Sequence, residues 1–278
     1  MNYRHLFHAG NFADLLKHAM LLDLLREMTG GNLALTVIDT HAGAGLYDLA
    51  SDAARRTGEA VAGVGRLIST PGAPMVFGAL KAAVARANRV DQIRYYPGSP
   101  VLILQGLRPR DRYIACELRP DDYAALRAVM PRQAGVLVLN EDGWAAGIQR
   151  ATPWPEPLLV LIDPPFERPD DGVKAVDLIE TMLHRNRGAV VALWAPIKDL
   201  TTFDALVSDI QDAAPAAPIL ITELRLRRLG DPMRMNGCAM IVVNSPSSLQ
   251  AHAHEAAEWI ANHMGEAGGL GRTEWRNR

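Results

Sequence analysis

The sequence predicts an α/β fold, built on a mostly parallel sheet with a C-terminal antiparallel hairpin and a helical insertion after the first strand. Three observations carry this. Short apolar runs rich in Val, Ile and Leu recur at 33–39, 112–116, 135–139, 158–162 and 189–194, with helical patterns between them. Such alternation is the signature of βα units whose strands are buried on both faces. The spacing breaks once, between 46 and 95, where alanine-rich helical patterns replace a strand. Near the C-terminus, runs at 219–228 and 238–244 flank a short loop and form an antiparallel hairpin.

The elements follow in order. Residues 1–10 have little periodicity but contain Tyr3, Arg4, His5 and His8. Asn11 caps a helix that runs to about residue 28, with Asp14 in its first turn and Leu15, Leu16, Ala19, Leu22 and Leu25 as its apolar face. Lys17 and His18 then fall on what pattern alone makes a solvated face. The strand at 33–39 runs into Thr40-His41-Ala42-Gly43-Ala44-Gly45, whose small residues let backbone approach a ligand, although the third glycine of the dinucleotide fingerprint is missing.

Residues 46–95 read as helices broken near Gly58, Gly63 and the turn Pro71-Gly72-Ala73-Pro74, with no convincing strand. Tyr95-Tyr96-Pro97-Gly98-Ser99-Pro100 reads as a turn capping a short helix. An acid that binds ribose is expected about twenty residues after the glycine loop, yet the next strand end, Glu117, comes about seventy residues later. An inserted helical subdomain over 46–95 reconciles the two. After Pro120 the chain resumes ordinary alternation. Strand 135–139 ends at Asn140-Glu141-Asp142-Gly143, and 170–187, 199–213 and 247–264 are helical. The tail 268–278 is expected to be poorly ordered.

Composition excludes several classes. The chain has 278 residues, 49% of them hydrophobic and 22% charged, with a formal net charge of -2, so a polyanion site must be a local patch. Cys116 and Cys238, both in apolar runs, suit buried reduced thiols better than a disulfide. Neither a signal-peptide pattern nor an apolar run long enough to cross a membrane is present, so a cytoplasmic location is expected.

The chemistry concentrates at Asp163-Pro164-Pro165-Phe166, at the end of the 158–162 strand. Neither proline has an N–H, and each restricts the residue before it to extended backbone. A carboxylate, a rigid pair of carbonyls and an aromatic face thus meet at a strand end, where ligands of open α/β sheets bind. The exocyclic amine of adenine is a poor nucleophile because its lone pair is delocalised into the ring. Asp163 accepting one N–H and a proline carbonyl accepting the other would draw that nitrogen toward tetrahedral geometry, with Phe166 stacked on the base. The plain alternative makes Asp-Pro-Pro a strand terminator and Phe166 core.

Four strand ends carry ligand-type residues in chain order: Asp39 with His41 and Gly43, then Glu117, then Asp142 with Gly143, then Asp163. An adenosine-bearing cofactor asks for this arrangement, though each acid alone also fits a helix cap. The pattern resembles the class I, Rossmann-like, S-adenosylmethionine-dependent methyltransferases, and Asp-Pro-Pro-Phe resembles their amino-methylating signature. Further stretches are similar to the bacterial family that methylates adenine N6 in 23S ribosomal RNA. They are Tyr3-Arg4-His5, Phe7-His8-Ala9-Gly10-Asn11, Ala13-Asp14 with Lys17-His18, Asp39 to Gly45, Arg56-Thr57-Gly58-Glu59, Tyr95 to Pro100 and Asp163 to Glu167.

That resemblance implies one methyltransferase domain over 1–278, S-adenosylmethionine as cofactor, and bare 23S rRNA rather than an assembled ribosome as substrate, with no obligate protein partner. By the same resemblance Lys17, His41, Gly43, Ser99, Glu117, Asp142, Gly143 and Asp163 hold the cofactor, Lys17 through the methionine carboxylate. Tyr3, His5, Asp163, Pro164 and Phe166 flank the target base, Phe166 standing where members often have Tyr. His5, His8, His18 and His41 lack thiolate partners and zinc-type spacing, and methyl transfer from a sulfonium needs no metal, so none is expected. Arg225, Arg227 and Arg234 are candidates for phosphate contacts on the hairpin, or equally for protecting an edge strand by charge. Rival functions are a DNA adenine methyltransferase, a protein-glutamine methyltransferase (usually Asn-first at this motif) and a non-catalytic nucleotide- or RNA-binding module.

Overall fold

The structure is a computed structural model that describes residues 4–88, 92–230 and 235–277. After a single 3-10 turn at His5–Phe7, α1 (Phe12–Thr29) leads into β1 (Thr36–Asp39). The stretch up to the next strand of the main sheet contains β2 (Leu46–Asp48), α2 (Asp52–Thr57), α3 (Arg66–Ser69), α4 (Gly78–Ala87) and β3 (Tyr95–Pro97). Alternation then runs through α5 (Ser99–Gly106), β4 (Arg112–Cys116), α6 (Pro120–Val129), β5 (Val136–Leu139), α7 (Gly143–Arg150), β6 (Leu158–Ile162), α8 (Asp171–Arg185), β7 (Val190–Ile197) and α9 (Leu200–Ala213). The chain closes with β8 (Ile219–Arg225), β9 (Gly237–Val243), α10 (Leu249–Met264) and β10 (Leu270–Arg276).

The main sheet has the order β10-β8-β9-β7-β6-β1-β4-β5. Strands β7, β6, β1, β4 and β5 are parallel, whereas β9 pairs antiparallel with β7 and β8. Period-two alternation divides the strand residues between two cores. Val37, Leu159, Leu161 and Ala192 face the layer that holds α1, α4, α5 and α10. Ile38, Val160, Ile162 and Val191 face α7, α8 and α9. Chain order reverses at β1, which has β4 on one side and β6 on the other. That reversal opens the crevice in which α/β sheets of this kind bind ligands.

Four expectations are corrected. The tail is not disordered: β10 pairs with β8 in continuous register from Leu270↔Arg225 to Arg276↔Ile219. Pattern failed there because Gly271, Arg272, Thr273, Glu274 and Arg276 dominate a strand that is only half-buried. The 46–95 stretch is helical only in its interior, since β2 and β3 close it as a two-stranded antiparallel ribbon. Its Val64, Leu67, Phe77, Leu80 and Tyr96 are buried in one cluster with α1 and α10. Lys17 and His18 are not solvated; they are 4% and 1% exposed, Lys17 meeting Asp163 at the end of β6 and His18 packing on Tyr96 of β3. Finally, β8 ends at Arg225 and is an interior strand, so Arg227 lies beyond it rather than sharing its exposed face.

Candidate active site

The carboxyl ends of β1, β4, β5 and β6 carry Asp39, Glu117, Asp142 and Asp163 into one region, as chain order suggested. A single cleft is lined by residues from all of these ends, among them His41, Gly43, Glu117, Asp142, Gly143, Asp163 and Pro164. His5, Lys17 and Ser99 line it as well, so residues far apart in the chain converge there. Tyr3 and Arg234 lie outside the described residues.

On the β1–β4 side the loop after β1 is pinned by carboxylate-to-backbone bonds. Glu117 accepts the Gly43 N–H at 2.8 Å through Oε2 and the Arg119 N–H at 2.7 Å through Oε1. Burial pushes its pKa up, against the pull of those two N–H groups. Gly43 is needed at φ +66°, where a Cβ would collide with the Tyr47 hydroxyl. At Gly143 a Cβ would strike the Thr40 carbonyl, so α7 can start only against a residue without a side chain. Asp142 is the N-cap of that helix, its Oδ1 accepting the Trp144 N–H at 3.0 Å. The His41 ring stands edge-on to Trp144 at 4.7 Å, and burial pushes it down to about 4.

Asp39 is completely buried, and burial pushes its pKa up to about 7. Its Oδ2 accepts the Ser99 hydroxyl at 2.7 Å and the Tyr113 hydroxyl at 3.3 Å, while Oδ1 has no hydrogen-bond partner. An orphaned acceptor at the strand end is a group that the ammonium of an amino-acid-like ligand would satisfy. The side-chain-free wall at Gly43 and Gly143 and the two-point hold on Glu117 suit the rest of an adenosyl cofactor. The residues present therefore fit S-adenosylmethionine. Ser99 serves that fit through Asp39, by fixing its other oxygen.

On the β6 side a buried ionic network surrounds Asp163. Lys17 Nζ donates to Asp163 Oδ2 at 2.6 Å and to Asp14 Oδ1 at 2.8 Å. Burial opposes the charge on Lys17, but the two carboxylates outweigh it and hold the ammonium well above its usual pKa. Burial likewise opposes ionisation of Asp14, and His5 and Lys17 overcome it, so Asp14 stays well below the usual carboxylate range. Asp14 also accepts the Gly10 N–H at 2.8 Å and meets His5 Nε2 at 3.0 Å. A cofactor carboxylate reaching Lys17 would compete with both acids. Asp14 was read from the sequence only as a first-turn acid; no local pattern announces that it gathers His5 and Lys17.

Phe166 adopts φ +49°, a left-handed conformation that a bulky residue holds at a cost of about 1–3 kcal/mol and that concentrates at working sites. Its ring packs on Trp194, centroids 6.1 Å apart, and is not among the cleft-lining residues, whereas Trp194 is. Sequence reading missed Trp194, which stood only as the end of a predicted strand. Of the hairpin arginines, Arg225 pairs with Glu223 at 2.5 Å and Arg227 with Glu266 at 2.8 Å. Arg272 of β10 also pairs with Glu223. Arg225 and Arg227 are thus each engaged by a carboxylate of the protein itself.

A parallel sheet closed by antiparallel strands, with Glu117, Asp142 and Asp163 beside the end of β1 around one cleft, defines a class I, S-adenosylmethionine-dependent methyltransferase. Comparison with known proteins makes this more specific. The family model "Ribosomal RNA large subunit methyltransferase D, RlmJ" matches residues 32–277. Ribosomal RNA large subunit methyltransferase J of Escherichia coli (strain K12) is 33% identical over 268 residues, 96% of this chain and 95% of that protein. The protein of the same name from Haemophilus influenzae is 31% identical over 277 residues, 99% of this chain and 98% of that protein. A crystal structure of a Legionella pneumophila protein superimposes with a TM-score of 0.87 at 25% identity, covering 96% of this chain and 98% of that one. The chain belongs to the ribosomal RNA large subunit methyltransferase J family.

Among the described residues no helix is long and apolar enough to cross a membrane. Cys116 and Cys238 are buried free thiols, and burial pushes each up to about 12.

Proposed function

We propose that this protein transfers a methyl group from S-adenosylmethionine to the exocyclic N6 of an adenine in 23S ribosomal RNA. The observation that carries the reading is the Asp163-Pro164-Pro165 corner at the end of β6, facing the same cleft as Glu117, Gly43 and Gly143. The named relatives support the rRNA part of it.

When bound, the cofactor supplies a methyl group made electrophilic by a sulfonium. Glu117 holds the ribose hydroxyls, already oriented by the Gly43 and Arg119 N–H groups. Asp39 Oδ1 takes the amino-acid end. Asp163 accepts one N–H of the target amine and the Pro164 carbonyl accepts the other, which frees the lone pair. As the nitrogen attacks, positive charge develops on it. The Asp163 carboxylate, already held by Lys17, stands in place to favour that development without moving. His5, held by Asp14, flanks the base. By the family resemblance, bare rRNA is the expected substrate and a monomer the acting form; the target N6 must be flipped out or captured unpaired.

The test is transfer of labelled methyl groups to deproteinised 23S rRNA, with genomic DNA and protein extract as competing acceptors. N6-methyladenosine in the rRNA digest is the expected product. Label in DNA or protein alone overturns the assignment.

A further inference from the structure

The cleft wall on the target side is made by a strand that outruns its neighbour. The register of β6 with β7 stops at Ile162↔Leu193, where Asp163-Pro164-Pro165 begins. The register of β7 with β9 continues through Trp194↔Met240 to Ile197↔Gly237. The end of β7 therefore stands above the Asp163 corner, braced on one side by β9. Period two then sorts its residues. Ala195 and Ile197 are buried, whereas Trp194 and Pro196 are part-exposed and Lys198 is exposed. Trp194, Pro196 and Lys198 all line the cleft.

A second cation reaches the same place from the opposite direction. Phe166 turns the chain at φ +49°, and Asp171 then accepts the Arg168 N–H at 3.0 Å, which fixes the exposed Arg168 on the cleft. Neither Arg168 nor Lys198 forms an ion pair with a described residue, in contrast to Arg225 and Arg227. Two cations outside the ion pairs of the described residues, beside an aromatic side chain and next to the carboxylate that would bind an amine, match one kind of occupant. Single-stranded nucleic acid offers both stacking bases and phosphates.

We propose that the overhanging end of β7 is the track for the target strand, with a base stacked on Trp194 and flanking phosphates held by Lys198 and Arg168. The inference rests on the methyltransferase reading above and adds to it where the RNA lies. Trp194, backed by Phe166, then provides the aromatic platform beside Asp163.

The experiment measures binding of a 23S rRNA transcript across a salt series, with S-adenosylhomocysteine binding by calorimetry as control. The double variant Arg168→Gln/Lys198→Gln changes exposed residues. It should weaken RNA binding and flatten log affinity against log salt by about 1.4 units, the loss of two single-strand phosphate contacts. Trp194→Ala should lower RNA affinity about 5- to 150-fold, and Trp194→Phe should restore most of it. S-adenosylhomocysteine affinity should not change in any of these. An unchanged slope in the double variant overturns the track. So does a slope that falls instead in Arg225→Gln/Arg227→Gln, which would put the RNA on the hairpin. Because the slope is read without turnover, a wild-type protein that binds RNA but transfers no methyl group counts against the functional reading and leaves the track standing.

Discussion

Lys17 and Asp163 are 146 residues apart in the chain, and their charged groups meet at 2.6 Å. The contact ties the first helix to the catalytic corner of β6, and Asp14 closes it from behind. Removing one member of such a set leaves the others with a charge to accommodate, and which member is removed decides whether folding or turnover suffers.

Asp163→Ala leaves Lys17 paired with Asp14, so the protein should fold. The carboxylate is needed most when charge develops on the attacking nitrogen, so the loss should appear in kcat with smaller changes in RNA affinity. A roughly hundred- to thousandfold fall is expected, from losses of one positioned group elsewhere. Asp163→Asn should be milder if its amide oxygen accepts the same N–H. Single-turnover methylation at saturating cofactor measures both; near-normal turnover by the alanine variant would return the motif to a strand terminator.

Glu117→Ala removes the ribose acceptor together with the anchor of the Gly43 N–H. Cofactor affinity should fall by about 1.5–3 kcal/mol, the worth of hydrogen bonds to a charged group. Calorimetry with S-adenosylhomocysteine reads this directly, and unchanged affinity in a folded variant would remove Glu117 from the ribose site.

His18 is buried against the Tyr96 hydroxyl at 2.7 Å, and burial pushes it down from 6.5 to about 3. The folded state therefore binds fewer protons than the unfolded state between those values. The stability this neutral histidine contributes is complete above pH 6.5 and is lost as pH falls toward 3. His41 acts in the same direction, while Asp39, raised to about 7, acts in the opposite one. Comparison with His18→Gln cancels both. Wild-type stability should decline relative to the variant by about 1.4 kcal/mol per pH unit below 6.5. Urea unfolding at several pH values gives the difference, and parallel curves would contradict it.

Truncation after Ala267 removes β10, leaves Glu223 without Arg272 and exposes the β8 edge. Glu223 keeps Arg225, so the loss falls on the β10 ladder, and an uncovered strand invites association between chains. A lowered urea midpoint with concentration-dependent aggregation is expected. A midpoint equal to the full chain would mean that the strand contributes nothing.

The sequence by itself determined the parallel sheet, its hairpin and the order of the strand-end acids. These depend on local facts: apolar runs of strand length, the turn residues that end them, and two prolines that cannot continue a ladder. Asn11 as the cap of α1 was legible for the same reason. What only the tertiary structure decided was which polar residues are inside. Lys17 and His18 look like a solvated face until Asp163 and Tyr96 meet them, and Asp14 looks like a helix-end acid until Lys17 and His5 reach it. Arg225 could belong to an edge strand until β10 arrives from the far end of the chain to take that edge. Trp194 stands only as the end of a predicted strand until the register shows β7 running past β6. Each of these depends on burial by residues distant in sequence, and burial decides whether a charge is solvated, paired or set against a ligand.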